Sequence, residues 1–231
     1  MKKTVLLVLL LIGGLTTSRA QNRVEADLSM DLVSSYVWRG MRMGGAALQP
    51  ELSLGWKGVS ISAWGSTGFA DNMREIDLTL SYSIGGLTLS VVDYWDNSGE
   101  TLYFNYKPKE TGHCFEGAVE YDFGPVKASW QTIFAGNDYR ESDGKRGFSS
   151  YLEISAPFRL GSLDWEAALG MVPWASDYYG TKSFNVTCVS LKAQKDIHIT
   201  DKFDLPLYAS LIANPSTGRL FFVAGLTVKL F

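Results

Sequence analysis

The sequence predicts an all-β fold: an antiparallel up-and-down transmembrane β-barrel of about twelve strands (roughly 10–14), preceded by an N-terminal signal peptide. Three observations predict it. Apolar and polar residues alternate with a period of two along most of the chain, tight turns alternate with longer loops, and the longest apolar run sits at the extreme N-terminus.

Lys2 and Lys3 precede the apolar run from Val5 to Leu15, which is too short to cross a bilayer as a helix, and Ser18-Arg19-Ala20 offers small residues for a signal peptidase. Residues 1–20 are therefore expected to be cleaved near Ala20, leaving a barrel domain over 21–231. Gln21 is not Cys, which speaks against a lipoprotein anchor; the other reading of the run is an uncleaved anchor. Mean hydropathy is +0.01, and no later apolar run reaches helical span length. A membrane-resident mature chain would thus have to cross as strands, in which only alternate residues meet lipid. The net charge of -3 offers no basic surface for nucleic acid. Cys114 and Cys188 fall in separate predicted strands, where they are read as small apolar residues, although an exported protein could oxidise them. No Cys/His spacing suits a metal, and no cofactor is expected.

The alternation opens with Val24, Ala26, Leu28, Met30 and Leu32 against Glu25, Asp27, Ser29 and Asp31. It recurs at Leu52, Leu54 and Trp56, at Ile76, Leu78 and Leu80, at Leu163, Trp165 and Ala167, and from Leu220 to Leu230. Tight turns fall near Lys57-Gly58, Gly85-Gly86, Phe123-Gly124-Pro125 and Leu160-Gly161-Ser162, with a longer one from Asp196 to Lys202. Loops fall near 40–46, 67–73, 95–112, 136–147, 172–182 and 214–218. The predicted strands are 24–38, 47–56, 59–66, 74–84, 87–94, 113–122, 126–135, 148–158, 162–171, 183–195, 203–213 and 219–231, with short turns periplasmic and long loops extracellular. Leu102, Phe104 and Tyr106 could form a further strand, but that makes the number odd, so 100–107 is read as loop. The terminal Phe231 resembles the signal read by the barrel-assembly machinery, except that the apolar face of the last strand lies on Leu226, Val228 and Leu230, the other parity. Aromatics near strand ends (Tyr36, Trp38, Trp56, Trp64, Tyr94, Trp95, Tyr121, Phe123, Phe134, Phe158, Trp174) are expected to form interfacial girdles. A secreted soluble β-sandwich with a core of the same aromatics is the competing fold.

If the apolar face meets lipid, the alternate residues line the interior. Candidates for lumen lining and selectivity are Asp27, Asp31, Arg39, Glu51, Asp77, Glu120, Lys127, Glu153, Asp164 and Glu166; Glu75, Glu116, Arg219 and Lys229 share that face. A Lys or Arg turned to mid-depth lipid costs roughly 2–4 kcal/mol, so these charges belong in a wet or ion-paired lumen. An excess of carboxylates favours cations in a pore. The alternative is that the charges pair across the barrel and plug it. Arg39, at the end of the first strand, could cross the lumen to an acid such as Glu51, or sit near headgroup or lipopolysaccharide phosphates. A lipid-modifying enzyme would need a nucleophile, a base and an orienter together. His113 and Glu116 point to opposite faces of a strand, Ser149 and Ser150 start another, His198 lies in a turn, and no Gly-x-Ser-x-Gly elbow exists. No catalytic residue is assigned and no enzyme is expected. A closed interaction barrel would bind through loop 95–112, with Tyr103, Phe104, Tyr106, Lys107 and Lys109.

Ser34-Ser35-Tyr36-Val37-Trp38-Arg39-Gly40, followed by Leu48-Gln49-Pro50, resembles the opening of the TorF-like family of outer-membrane porins. Phe134-Ala135-Gly136-Asn137-Asp138, Ser149-Ser150-Tyr151-Leu152-Glu153 and Pro173-Trp174 are similar to segments of related proteins from Bacteroidetes-type bacteria. The resemblance implies a barrel in the outer membrane of a Gram-negative cell and a porin role, without a substrate or catalytic residue. The expected partners are outer-membrane lipid and lipopolysaccharide, the assembly machinery acting on Phe231, and small solutes.

Overall fold

The computed structural model describes residues 24–97, 101–200 and 203–229. The predicted signal peptide and Phe231 lie outside the described residues.

Twelve strands close into one antiparallel barrel. The chain forms β1 (Glu25–Val33), then a separate two-stranded hairpin of β2 (Tyr36–Trp38) and β3 (Met41–Gly44). The wall continues with β4 (Ala47–Trp56), β5 (Val59–Gly68), β6 (Arg74–Ile84), β7 (Leu87–Asp96), β8 (His113–Asp122) and β9 (Lys127–Gly136). It ends with β10 (Ser150–Leu160), β11 (Leu163–Val172), β12 (Asn185–Thr200), β13 (Phe203–Asn214) and β14 (Arg219–Lys229). Each wall strand pairs with its neighbour in sequence, except that β1 skips the hairpin to pair with β4. β14 closes the ring on β1, with Leu32 opposite Leu226 and Met30 opposite Val228. Among the described residues, closure leaves the barrel wall without an unpaired edge.

The register sorts the side chains into two faces. Leu54 opposes Ile61 and Ile61 opposes Leu80; these residues are 47%, 59% and 53% exposed, so this row is the outside of the wall. Leu191, Leu211 and Phe222 make a similar exposed row on the far side. One position along, Ser53 opposes Ser62 and Ser62 opposes Thr79, a polar row on the inside. A period-two sequence produces this division automatically, because successive side chains in a strand point to opposite faces. At the tight-turn end, Lys57 and Gly58 have φ of 49° and 82°, the two positive values of a type I′ turn, whose twist suits a hairpin.

Three expectations are corrected. The first strand does not run from 24 to 38; it stops at Val33 and the rest turns inward. Tyr36, Trp38, Trp64 and Tyr94 are therefore not girdle residues. Tyr36 packs on Trp64 and Trp38 on Tyr94, with ring centroids 5.5 and 5.6 Å apart, within the barrel. The turn read from Asp196 onward is strand: β12 reaches Thr200, and His198 bonds Asp204 across the β12–β13 pair at 2.9 Å. The described part of 100–107 is loop, as expected. No helix of the described residues is long and apolar enough to cross a membrane.

Candidate functional site

The inserted hairpin organises the long-loop end of the barrel. Its cause is local. Ser34 N donates to Ala224 O at 2.8 Å while the Ser34 hydroxyl accepts from Ala224 N at 2.9 Å. The side chain thus stands where a backbone carbonyl would continue the ladder, and the backbone is free to leave the wall. Ser35 Oγ donates to Gly44 O at 3.0 Å and closes the base of the hairpin, and Asp71 accepts from Gly45 N at 2.7 Å. The tip is Arg39-Gly40, both left-handed with φ of 49° and 79°. Such a conformation costs an L-residue about 1–2 kcal/mol, so contacts made by Arg39 must hold it. Gly40 presses on the far wall: a Cβ there would lie 1.9 Å from Thr187 O. Asn214 Nδ2 donates to Gly40 O at 3.1 Å.

Arg39 makes those contacts. Its Nη1 and Nη2 donate to Glu116 Oε2 and Oε1 at 2.6 and 2.8 Å, a bidentate pair, and Nη1 also donates to the Tyr179 hydroxyl at 2.6 Å. Tyr94 Oη donates to Glu116 Oε1 at 2.9 Å. The guanidinium lies 4.3 Å from the Trp38 ring centroid and 4.7 Å from that of Tyr151. The partners come from β7, β8, β10 and the loop after β11, so the hairpin bridges the lumen from one wall to the other. Tyr151, Val172, Tyr179 and Cys188 form the small buried core beneath it. Two long loops are tied into the same end: Ser149 Oγ donates to Asp138 at 2.7 Å and meets Ser176 Oγ at 2.7 Å.

Of the two places open to Arg39, the structure has the one within the barrel, where its partner is Glu116 rather than Glu51. Glu51 instead sits opposite Ser29, between Asp27 and Asp31, on the β1–β4 wall. The register places Asp27, Asp31, Glu51, Asp77, Glu120, Lys127, Glu153, Asp164 and Glu166 on the inner face. Some are brought together: Glu120 and Glu153 both oppose Ser129, Glu166 opposes Lys192, and Asp164 lies 3.7 Å from Arg159. The sequence places Glu75 and Glu116 on the inner face without singling them out as selectivity candidates, and it does not pick out Tyr179. Glu116 and Glu75 share the parity of the chosen acids, but nothing in one dimension distinguishes the acid that meets the hairpin.

His113 is on the other face. It opposes Trp95, on the row that includes Leu89 and Val91. Its Nδ1 lies 2.8 Å from Asp93 Oδ1, and its Nε2 donates to Tyr103 O. Tyr106 stacks on the imidazole at a centroid distance of 4.5 Å. Loop 101–112 therefore folds back over the outside of the wall and seals a His–Asp pair from the surroundings. His113 and Glu116 do diverge as the strand geometry required. Among the described residues, neither Ser149 nor Ser150 hydrogen-bonds to His113. Both cysteines are free and buried.

No protein-family model and no curated protein matches the chain. Among solved structures it is similar to the COG4313 outer membrane channel from Pseudomonas putida F1, at 11% identity and a TM-score of 0.45, over 93% of this chain and 98% of that one. A porin refined at 1.8 Å aligns at 14% identity and a TM-score of 0.37, over 80% of this chain and 62% of that one. OccK9 (OpdG) of Pseudomonas aeruginosa aligns at 12% identity and a TM-score of 0.33, over 79% and 54%.

Proposed function

We propose that this chain is an outer-membrane barrel that passes small polar solutes, cations in preference, through a lumen narrowed at its outer mouth by the β2–β3 hairpin. The observation that carries the reading is the contrast across one closed wall: the outward row is apolar and exposed on strand after strand, whereas the inward row is polar and charged. A soluble protein rarely exposes so much contiguous apolar surface, and lipid is the medium that removes its cost. On the inner face, Asp27, Asp31, Glu51, Asp77, Glu120, Glu153, Asp164 and Glu166 stand against fewer bases, among them Lys127 and Lys192. Such a surplus favours cations. In this reading residues 1–20 direct export, Phe231 serves assembly, the long loops face outward, and the opening motif reflects kinship with the TorF-like family.

A second reading has its own observation. The hairpin reaches both walls, and a barrel shut by it would act through its loops. Single-channel recording of the refolded protein in planar bilayers separates the two. The channel reading expects discrete, salt-dependent steps and a cation-selective reversal potential that moves toward zero in Asp77→Asn/Glu166→Gln. A folded barrel, identified by heat-modifiable migration, that leaves the bilayer silent would overturn it in favour of the closed form.

A further inference from the structure

We propose that the long-loop mouth of the barrel holds a binding site for a small organic cation carrying an alkylammonium or quaternary ammonium group. Between the hairpin and the β6–β7–β8 wall lies a cavity of about 170 Å³ whose lining includes Trp38, Met43, Glu75, Tyr94, Asp96 and Tyr178. Its walls combine negative charge with aromatic rings.

Two carboxylates meet at one point of this lining. Glu75 stands directly opposite Asp96 in the β6–β7 register, an arrangement in which like charges repel. Glu75 is only 7% exposed; Tyr36 hydrogen-bonds its carboxyl, but among the described residues its Oε2 has no hydrogen-bond partner, and Asp77 Oδ1, two residues along the same face, has none either. A buried carboxylate oxygen without a donor is costly and is relieved by a positive group. The nearby cation of the hairpin does not serve, because Arg39 is committed to Glu116 through both terminal nitrogens.

The rings supply the second element. Trp38 meets Tyr94 and Tyr178 edge-on, with centroids 5.6 and 6.3 Å away. Trp38 itself is occupied by the guanidinium of Arg39 at 4.3 Å and by Tyr179 stacked at 6.2 Å, so Tyr94 and Tyr178 are the rings that remain for a further cation. Aromatic faces attract weakly hydrated organic cations, whereas Ca²⁺ and Mg²⁺ require a shell of oxygens. Among the described residues, no group of three or more His, Cys, Asp or Glu side chains is placed to hold a metal ion. The site therefore suits a cationic head of several heavy atoms rather than a bare metal. It goes beyond the channel reading, and its occupancy is read by binding rather than by current.

The test is isothermal titration calorimetry of tetramethylammonium chloride and choline chloride into the refolded full chain in detergent micelles, with sodium chloride holding ionic strength constant. The expected result is saturable one-site binding, with no binding of 3,3-dimethylbutanol, the neutral counterpart of choline. Glu75→Gln should weaken affinity about tenfold or more, as loss of a charge-assisted contact does. Met43→Lys, which tethers an ammonium in the cavity, should abolish binding, and it keeps the test decisive if Glu75→Gln fails to refold. Absence of saturation in the parent protein, equal binding of the neutral counterpart, or unchanged affinity in the folded variants would overturn the site. A silent bilayer with intact binding would overturn the channel and leave the site standing.

Discussion

Glu116 and His113 lie on the same strand, on opposite faces of one wall, with side-chain exposures of 1% and 0%. They are buried by opposite means. Glu116 faces the lumen and is met by a hairpin that left the wall at Ser34 and carried Arg39 across the interior. His113 faces outward and is met by Asp93 on the neighbouring strand and by a loop folded back over the outside, which adds the Tyr103 carbonyl and the Tyr106 ring. The comparison shows two uses of a long loop at a barrel rim. A segment folded inward reduces the free cross-section, while one folded outward shields a polar pair from the surroundings and gives the lumen only its ends, Thr101, Thr111 and Gly112. The same strand supports both because its side chains alternate between the two environments.

Breaking the inner pair should have the largest effect. Glu116→Ala leaves the Arg39 guanidinium buried without its acid, a change worth about 3–5 kcal/mol. It should lower the urea midpoint of the refolded barrel and, if the lumen conducts, raise single-channel conductance as the hairpin loosens. The Arg39→Ala/Glu116→Ala double variant should be less destabilised than the sum of the singles; simple additivity would mean that the pair does not hold the hairpin. Next comes the polarity of the two faces themselves. Leu78→Arg turns a charge outward and should cost about 2–4 kcal/mol near mid-depth, whereas Thr79→Arg, one position along and inward, should be far better tolerated. Heat-modifiable migration after refolding would report the difference, and equal tolerance would dissolve the distinction between faces. The smallest effect is expected at the outer pair. His113→Ala removes the ring that Tyr106 and Tyr103 cover and leaves Asp93 without its partner, a loss of about 1–3 kcal/mol. Trypsin should then cleave faster after Lys109, with conductance unchanged. A change in conductance as large as that of Glu116→Ala would place the outer loop in the same device as the hairpin.

Much of the barrel can be read from the chain because its cause is local. β4, β6, β8 and β13 begin where the alternation predicts, and Lys57-Gly58 and Gly161 carry the positive φ values that their turn chemistry requires. The break after Val33 cannot be read this way. Tyr36 and Trp38 continue the parity of Leu28, Met30 and Leu32, so a pattern of two offers no sign that the backbone turns. The same continuity makes Tyr36 and Trp38 look like outward aromatics. Their actual direction depends on Trp64 and Tyr94, which are distant in sequence and reach them only when the barrel closes.

What the amino-acid order determined by itself is the wall: which residues are strand, which face of each strand is apolar, and where the tight turns fall, since each follows from one or two neighbouring residues. What only the tertiary structure decided is what fills the wall. The choice of Glu116 over Glu51 for Arg39, the reach of Gly40 to Thr187 and the placing of Glu75 opposite Asp96 depend on the register of closure and the depth of the hairpin. Those quantities are sums over the whole ring, and no local stretch of the chain carries them.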